Sequence, residues 1–544
     1  MRTREAVSPE KLRGGFYSPE ILVKLCLDRV QTLLASRDGL RVLEPTAGDG
    51  AFLRGLQAHA LGSRVGHVEA IELLDSEATK IDRFLDRSEL PGRVLNANVL
   101  EWYTAGNTRD YDVVLANPPY VRFQFINDED KQRAKDLSSE LGVVGSSVSN
   151  LWIPVFLLAL NSLADGGVFS VILPTEFLTG VSASRVRGWL LDNTTDLSID
   201  LFKPGSFPAV LQEVLVLSGR RTSANQTSTV EFADHNGGSH TWTHVVDRDA
   251  KTWTAYLLSP AEVEAYRFAQ ALKSVDTLGR VARFSVSTVT GANAYFCLST
   301  SEVRAHELEP WALPLLGRSR QARGLFFTGE DHGLLADEDQ PSWILSFAAN
   351  RPDPTKVRKA LEYIHRGELL DIHTRYKTRI RTPWYRVPIV SAGDLLLSKR
   401  SNEFPRVIAN HAKAITTDTI YKGQVLASSG VTANDVTASF HNSLTLLSAE
   451  IEGRSFGGGV LELVPSEVSA LLIPTSPEMH EHLPRLDATY RESRDGAALI
   501  EATDGAIEDL VPELTQDVMD SLRGARDSLL TRRIVRSTSE FYED

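Results

Sequence analysis

The sequence predicts an α/β fold: a mostly parallel, Rossmann-like sheet in the first half, followed by a mixed α+β second half. Three observations predict it. Short apolar runs alternate with stretches of helical spacing from Leu40 to Gly219. A two-glycine turn, "VLEPTAGDGAFL", joins the first run to the first helix. The alternation then stops in the polar stretch "TSANQTSTVEFADHNGGSH", residues 222–240. Strands alternating with helices imply parallel pairing with buried strands.

The elements follow in order. "LRVLEP" (Leu40–Pro45) reads as a buried strand and "AFLRGLQAHAL" as the helix after it. "GHVEAIEL" is the second strand, and "ATKIDRFLDR" has apolar residues at helical spacing. "GRVLNANVL" and "YDVVLAN" give the third and fourth strands. "LWIPVFLLALNSLA" is an apolar helix, and "GGVFSVILP" a fifth strand. "LSIDLF" and "VLQEVLVLSG" complete the series. The charged, then Gly/Ser-rich segment 122–149 interrupts it after the fourth strand and reads as an inserted, mobile segment. It falls at the strand's carboxyl end, where open α/β sheets bind ligands. The first domain is expected to end near residue 240. The second, 241–544, shows shorter β-like runs and an acidic helical tail at about 485–535.

The chain has 544 residues, 42% hydrophobic and 24% charged, enough for two or three packed domains. No run reaches the length of a membrane span, and the charged N-terminus lacks the apolar core of a secretory signal. Cys26 and Cys297 are the only cysteines, so neither a disulfide framework nor a cysteine metal site is expected. A cytoplasmic location fits, with no membrane partner and no metal. His235, His240 and His244 lie close together, but in a Gly/Ser-rich linker they read as solvated side chains rather than metal ligands. The net charge is −13, yet residues 351–413 carry 14 Lys/Arg against 6 Asp/Glu, leaving +8 there and −21 elsewhere.

The glycine turn sets the first chemical expectation. Gly48 and Gly50 permit a tight turn and close backbone approach to a ligand. Glu72, ending the second strand, suits the paired hydroxyls of a ribose. A nicotinamide or flavin fingerprint requires a third glycine, where Leu53 stands. Glu44 and Pro45 precede the turn, and a carboxylate there suits an ammonium better than a phosphate. The pattern therefore points to S-adenosyl-L-methionine (SAM) as cofactor.

The fourth strand ends in Asn117-Pro118-Pro119-Tyr120. Neither proline can donate to a strand ladder, so the chain must leave the sheet there, stiff and extended. An exocyclic base amine is a weak nucleophile because its lone pair is delocalised into the ring. The Asn117 side-chain carbonyl and the Pro118 backbone carbonyl could grip its N–H bonds and localise that pair. Pro119 fixes the direction of the mount. Tyr120 offers a face for an extruded base, a stack worth about 1–3 kcal/mol. Positioning and electrostatics then suffice for an in-line methyl transfer.

In order and wording these motifs resemble the gamma-class, Taq-type N6-adenine DNA methyltransferases, over about residues 14–220. "GGFYSPEIL", with Tyr17, Ser18 and Pro19, is similar to that family's N-terminal cofactor segment, Ser18-Pro19 standing for the usual Thr-Pro. The resemblance implies Glu44, Thr46, Gly48 and Gly50 near the methionine moiety and Glu72 on the ribose. It places Asn98-Val99 at the cofactor's adenine, where the family normally has Asp and an apolar residue. "GSFPAVLQEVLVL" resembles a late motif whose aromatic, here Phe207, stacks on the flipped base. The resemblance implies a SAM-dependent catalytic domain (1–240) followed by a target-recognition domain (241–544), acting on double-stranded DNA. A base inside a duplex must be flipped out to reach such a site.

The second half supplies a candidate grip on the duplex. "HTRYKTRIRTPWYRVP" interleaves Arg375, Lys377, Arg379, Arg381 and Arg386 with Tyr376, Trp384 and Tyr385, and Lys399 and Arg400 follow. Such side chains neutralise phosphates, and Arg reads guanine edges. "SFGGGVLELVPSEVSALLIP" resembles part of the family's recognition domain. The expected activity is site-specific adenine methylation in restriction–modification or phage defence, with a separately encoded endonuclease or defence subunits as partners. Cytosine N4, RNA or a protein glutamine amide remain open as acceptors by motif alone, as does an inactive DNA-binding specificity subunit.

Overall fold

A computed structural model describes residues 18–106, 110–143, 150–202, 206, 213–223, 228–236, 240–456 and 459–538. The chain divides into two compact units, meeting between Pro260 and Ala261.

The first unit is built on a nine-stranded mixed sheet in the order β3-β2-β1-β4-β5-β7-β6-β8-β9. Its strands are β1 (Leu40–Glu44), β2 (Val65–Glu72), β3 (Gly92–Asn96), β4 (Tyr111–Ala116), β5 (Leu163–Pro174), β6 (Thr194–Leu201), β7 (Val214–Arg221), β8 (Thr229–Asp234) and β9 (His240–Val245). The strands β3, β2, β1, β4 and β5 pair in parallel, and β7 runs antiparallel between β5 and β6. Every residue of β4 is buried, as a central parallel strand covered on both faces requires.

Six helices flank the first five strands: α1 (Glu20–Leu33), α2 (Ala51–Ala58), α3 (Asp75–Leu85), α4 (Val99–Thr104), α5 (Asp128–Glu140) and α6 (Trp152–Asn161). In α6 every residue from Trp152 to Leu160 is buried, and Pro154 sits in the first turn, where a missing N–H costs nothing. The helix α5 lies in the segment read as an insertion; Asn127 caps it by accepting from the Asp130 N–H at 2.7 Å. Residues 144–149 are outside the described set.

The division into compact units falls at 260, beyond the 240 expected from the sequence. The polar stretch taken for a linker contains β8 and leads into β9, and β8 pairs in parallel with β6 from Leu197↔Val230 to Leu201↔Asp234. β9 is the sheet's edge strand and exposes most of its residues, and β8 exposes the polar Thr229 and Glu231, so their composition resembles a loop. His244 is buried rather than solvated, whereas His235 is exposed and paired. His235 Nε2 lies 2.8 Å from Asp200 Oδ1, and His244 Nε2 lies 2.8 Å from the Leu258 carbonyl.

The second unit holds short strands between helices. One four-stranded sheet joins Ala282–Ser285, Ile420–Val425, Leu395–Ser398 and Val407–Ala409; another joins Cys297–Leu298, Trp343–Leu345, Ala312–Leu316 and Ile415–Thr416. A core of Tyr295, Phe296, Trp311, Phe347, Tyr363, Ile372 and Val387 lies beside them. The acidic C-terminal region is helical over Leu483–Ser493, Gly496–Leu510 and Gln516–Thr538. It is packed rather than trailing, since Leu499, Ile500, Leu522 and Leu529 are buried. Among the described residues no helix is long and apolar enough to cross a membrane.

Candidate active site

The chain steps outward from β1 through β2 to β3, then returns to place β4 on the other side of β1. This reversal is a topological switch point, where open α/β sheets bind ligands beyond the strand ends. Glu44 ends β1, Glu72 ends β2, and Asn117 follows β4.

The glycine turn is held shut by its own backbone and by Glu72. The Gly50 N–H donates to the Ala47 carbonyl, and the Ala47 N–H to that of Ile71, both at 2.9 Å. Gly48 and Gly50 have φ of 55° and 80°, conformations that disfavour a side chain. The two Glu72 oxygens accept from the Gly48 N–H at 2.8 Å and the Leu74 N–H at 2.7 Å. Burial raises the Glu72 carboxyl above its ordinary range, and these backbone donors counter it. A carboxylate offers about four lone pairs, so two remain for a ligand.

Glu44 is 2% exposed, and its Oε2 has no hydrogen-bond partner. Burial, with Asp49 and Glu72 nearby, holds this carboxyl well above the ordinary range. A buried orphan acceptor of this kind calls for a donor or a cation. Leu73, directly after Glu72, is 65% exposed, an apolar surface at the strand end that a flat ring could cover. Sequence reasoning passed over Leu73; its signal was position, an apolar residue following the strand-end acid. An orphan acceptor for an ammonium, an acid for ribose hydroxyls and a bare apolar side chain for adenine are together the donor set that SAM requires.

Thr46 links this turn to the catalytic motif by donating its hydroxyl to the Asn117 carbonyl at 3.2 Å. The Asn117 amide donates to Ser18 Oγ at 3.1 Å. The Tyr120 hydroxyl reaches Asn117 Oδ1 at 3.1 Å and the Ile172 carbonyl at 3.2 Å. Tyr120 is 8% exposed, and burial pushes its phenol well above the ordinary value. Its expected open stacking face is therefore covered here, and its polar end serves Asn117. Pro118 is buried and Pro119 half-buried.

Asn98 caps α4 by accepting from the Leu100 N–H at 2.9 Å, and its amide donates to Asp130 Oδ1 of α5 at 2.9 Å. The insertion is thus tied to the strand end expected to carry the cofactor's adenine. Val99 opens α4 half-buried. Tyr17 and Phe207 lie outside the described residues.

The expected DNA-contacting side chains sort into two groups. Arg381 donates to the Thr290 and Val289 carbonyls, each at 2.7 Å, and Arg386 to the Phe347 carbonyl at 3.2 Å. Trp384 packs 5.6 Å from the Tyr295 ring, and Tyr385 5.7 Å from Phe347. Lys399 and Arg400 meet Glu462 at 3.4 and 2.5 Å. Arg375, Lys377 and Arg379 are exposed.

With this geometry in hand, the likenesses fall on both halves of the chain. A family model described as Eco57I restriction-modification methylase matches residues 68–207. A second, described as the C-terminal domain of the Type II methyltransferase M.Eco57I, matches residues 250–507. The Type II methyltransferase M.AccI of Acinetobacter calcoaceticus is 24% identical over 463 residues, covering 80% of this chain and 81% of that protein. M.XamI of Xanthomonas campestris pv. amaranthicola is 22% identical, covering 86% of each. M.HincII of Haemophilus influenzae matches at 25% identity over 37% of this chain and 36% of its own. Among solved structures, the Type IIL restriction-modification enzyme MmeI in complex with DNA gives a TM-score of 0.48 at 13% identity, covering 93% of this chain and 71% of that one. These sequence likenesses support one class, the DNA methyltransferases of restriction-modification type.

Proposed function

We propose that the chain transfers a methyl group from SAM to the N6 amine of an adenine flipped out of duplex DNA. The observation that carries the reading is the Asn117 carboxamide, set beside the glycine turn by Thr46 and oriented by Ser18 and Tyr120. Glu44 would hold the cofactor's ammonium, Glu72 its ribose hydroxyls, and Leu73 and Val99 its adenine. When bound, SAM supplies an electrophilic methyl on a sulfonium.

The chain's own residues do the rest. Tyr120 donates to Asn117 Oδ1, an amide oxygen able to accept more than one hydrogen bond, that of the target amine among them. Ser18 occupies the amide end, so the carboxamide presents oxygen to the base. The Pro118 carbonyl is the second acceptor. Two acceptors on one amine favour its pyramidal form, and preorganised dipoles of this kind need no rearrangement during reaction. Phe207 would stack on the base once it enters, and a clamp by the Tyr120 ring would require that covered ring to be bared as the base arrives. Residues 1–260 would carry catalysis and 261–540 the recognition of DNA.

The test is transfer of a tritiated methyl group from SAM to duplex DNA, followed by nucleoside analysis of the product. N6-methyladenine is expected, and Asn117→Ala should abolish the signal while SAM binding persists. N4-methylcytosine in the product would reassign the acceptor. Undiminished transfer by Asn117→Ala would refute the catalytic role.

A further inference from the structure

Eleven large apolar side chains are left exposed among the described residues, and four of them fall between positions 369 and 380. Leu369 is 86% exposed, Leu370 55%, Tyr376 64% and Ile380 65%. Between them stand Arg375, Lys377 and Arg379, all exposed. No ion pair joins these three cations to a carboxylate among the described residues; two of them lie over the Tyr376 ring, Lys377 Nζ at 5.2 Å and the Arg379 guanidinium at 5.7 Å. Elsewhere in this unit basic side chains such as Lys399, Arg400 and Arg406 are engaged with carboxylates or buried carbonyls.

The segment is firmly mounted. Helix Arg358–Leu369 ends at Leu370, and Asp371 reverses the chain with φ of 54°. Ile372 is buried beneath, and the buried Thr378 hydroxyl donates to the Ile372 and Arg375 carbonyls. Arg381 closes the far end by gripping two carbonyls of the 289–290 segment. Tyr376 and Ile380 are four residues apart, as are Arg375 and Arg379, the spacing that puts each pair on one side of a helical turn. Four exposed apolar side chains within twelve residues, on a segment held at both ends, mark an interaction surface.

We infer that residues Leu369–Ile380 form a duplex-binding element, with Arg375, Lys377 and Arg379 on phosphates and Leu369, Leu370, Tyr376 and Ile380 pressed into the adjacent groove. Charge complementarity selects this occupant: three unneutralised cations cluster in a chain of net charge −13, and apolar side chains amid basic ones are how proteins wedge into DNA grooves. The inference rests on the DNA reading above and deepens it. It also narrows the ten basic and aromatic candidates of the sequence to Arg375, Tyr376, Lys377 and Arg379, and adds Leu369, Leu370 and Ile380, which the charge run concealed.

The experiment measures binding of the full-length chain to a mixed-sequence duplex of about 30 base pairs by anisotropy, across a salt series. Removing three phosphate contacts lowers the salt slope by about 0.9 each, so Arg375→Gln/Lys377→Gln/Arg379→Gln should reduce it by roughly 2 to 3 and weaken binding at least about tenfold near 0.1 M salt. Leu369→Ser/Leu370→Ser/Tyr376→Ser/Ile380→Ser should weaken binding several-fold with the slope unchanged. Both variants should keep wild-type SAM affinity and melting temperature, since the altered side chains are exposed. Wild-type duplex binding that neither variant diminishes would overturn the element while leaving the DNA reading intact. A wild-type chain that binds SAM but not duplex would overturn both. A wild-type dimer that the serine variant dissolves would give the surface to a second copy and overturn the inference.

Discussion

Tyr120 holds Asn117 by its side-chain oxygen, hydroxyl to Oδ1 at 3.1 Å, while the same hydroxyl reaches the Ile172 carbonyl of β5 at 3.2 Å. Ser18 Oγ meets the amide end, so the carboxamide is held between two hydroxyls. The aromatic of the motif therefore also acts as a positioning group, a role that does not require its ring to be open.

Tyr120→Phe should separate that role from stacking. The ring is kept, but Asn117 Oδ1 and the Ile172 carbonyl lose their donor. One such hydrogen bond is worth about 0.5–1.5 kcal/mol net, so kcat should fall roughly 2- to 10-fold with SAM affinity unchanged. Steady-state kinetics would show it, and a kcat equal to wild type would refute the positioning role. Tyr120→Ala should in addition lower the melting temperature, because it empties a buried site.

The two glycines of the turn should differ in their response to alanine. At Gly48 a Cβ meets nothing within 4 Å, so the cost is the left-handed backbone alone, about 1–2 kcal/mol. At Gly50 the same strain is joined by Ile81 Cγ1 at 3.1 Å. Thermal melts should rank wild type above Gly48→Ala above Gly50→Ala. Gly48→Ala should also weaken SAM binding, because relief of the left-handed strain shifts the backbone N–H that aligns Glu72. Equal melting temperatures for the two variants would count against this account of the turn.

These relationships were unequally legible in the sequence. Strands β4 and β5 read directly because central strands are near-continuous apolar runs, and β4 is buried at every position, while β1, β2 and the edge strand β3 read from their alternation with helices. The β8–β9 hairpin was missed because edge strands such as "HTWTHV" expose most of their residues and resemble a loop. Glu44, Glu72 and Asn117 were found by motif, each at a strand end where geometry follows from the fold. The covering of Tyr120 and the tie from Asn98 to Asp130 depend on partners 52 and 32 positions away, beyond any local pattern. A run of charges likewise cannot distinguish Arg381, spent on backbone carbonyls, from exposed Arg375.

The second unit carries a buried ion pair whose one-sided disruption should be costly. Arg533 Nη2 meets Glu450 Oε1 at 2.7 Å and Nε meets Oε2 at 2.8 Å, with side chains 3% and 6% exposed. Removing one partner strands a buried charge, at about 3–5 kcal/mol. Glu450→Ala should lower denaturant stability by that order, and Glu450→Leu/Arg533→Met should recover much of it. A double variant no more stable than Glu450→Ala would place the loss in packing rather than in the uncompensated charge.

Glu44 ties cofactor binding to pH. Its carboxyl is raised well above 4.5 in the free chain, chiefly by burial. The folded chain therefore holds this proton more tightly than the unfolded chain does, and stability should decline as pH rises from about 4.5 through the raised value. An ammonium beside Glu44 requires the carboxylate, so SAM binding should expel the proton. Affinity should then climb over that same window and fall again as the ligand's own α-amino group deprotonates near about 7.7–8.0. Glu44→Gln should abolish the rising limb, leave the falling one, and stabilise the ligand-free chain at neutral pH. Calorimetric titration across pH, in buffers of differing ionisation enthalpy, reports both the affinity and the proton released. An unchanged rising limb in Glu44→Gln would move the ammonium site away from β1.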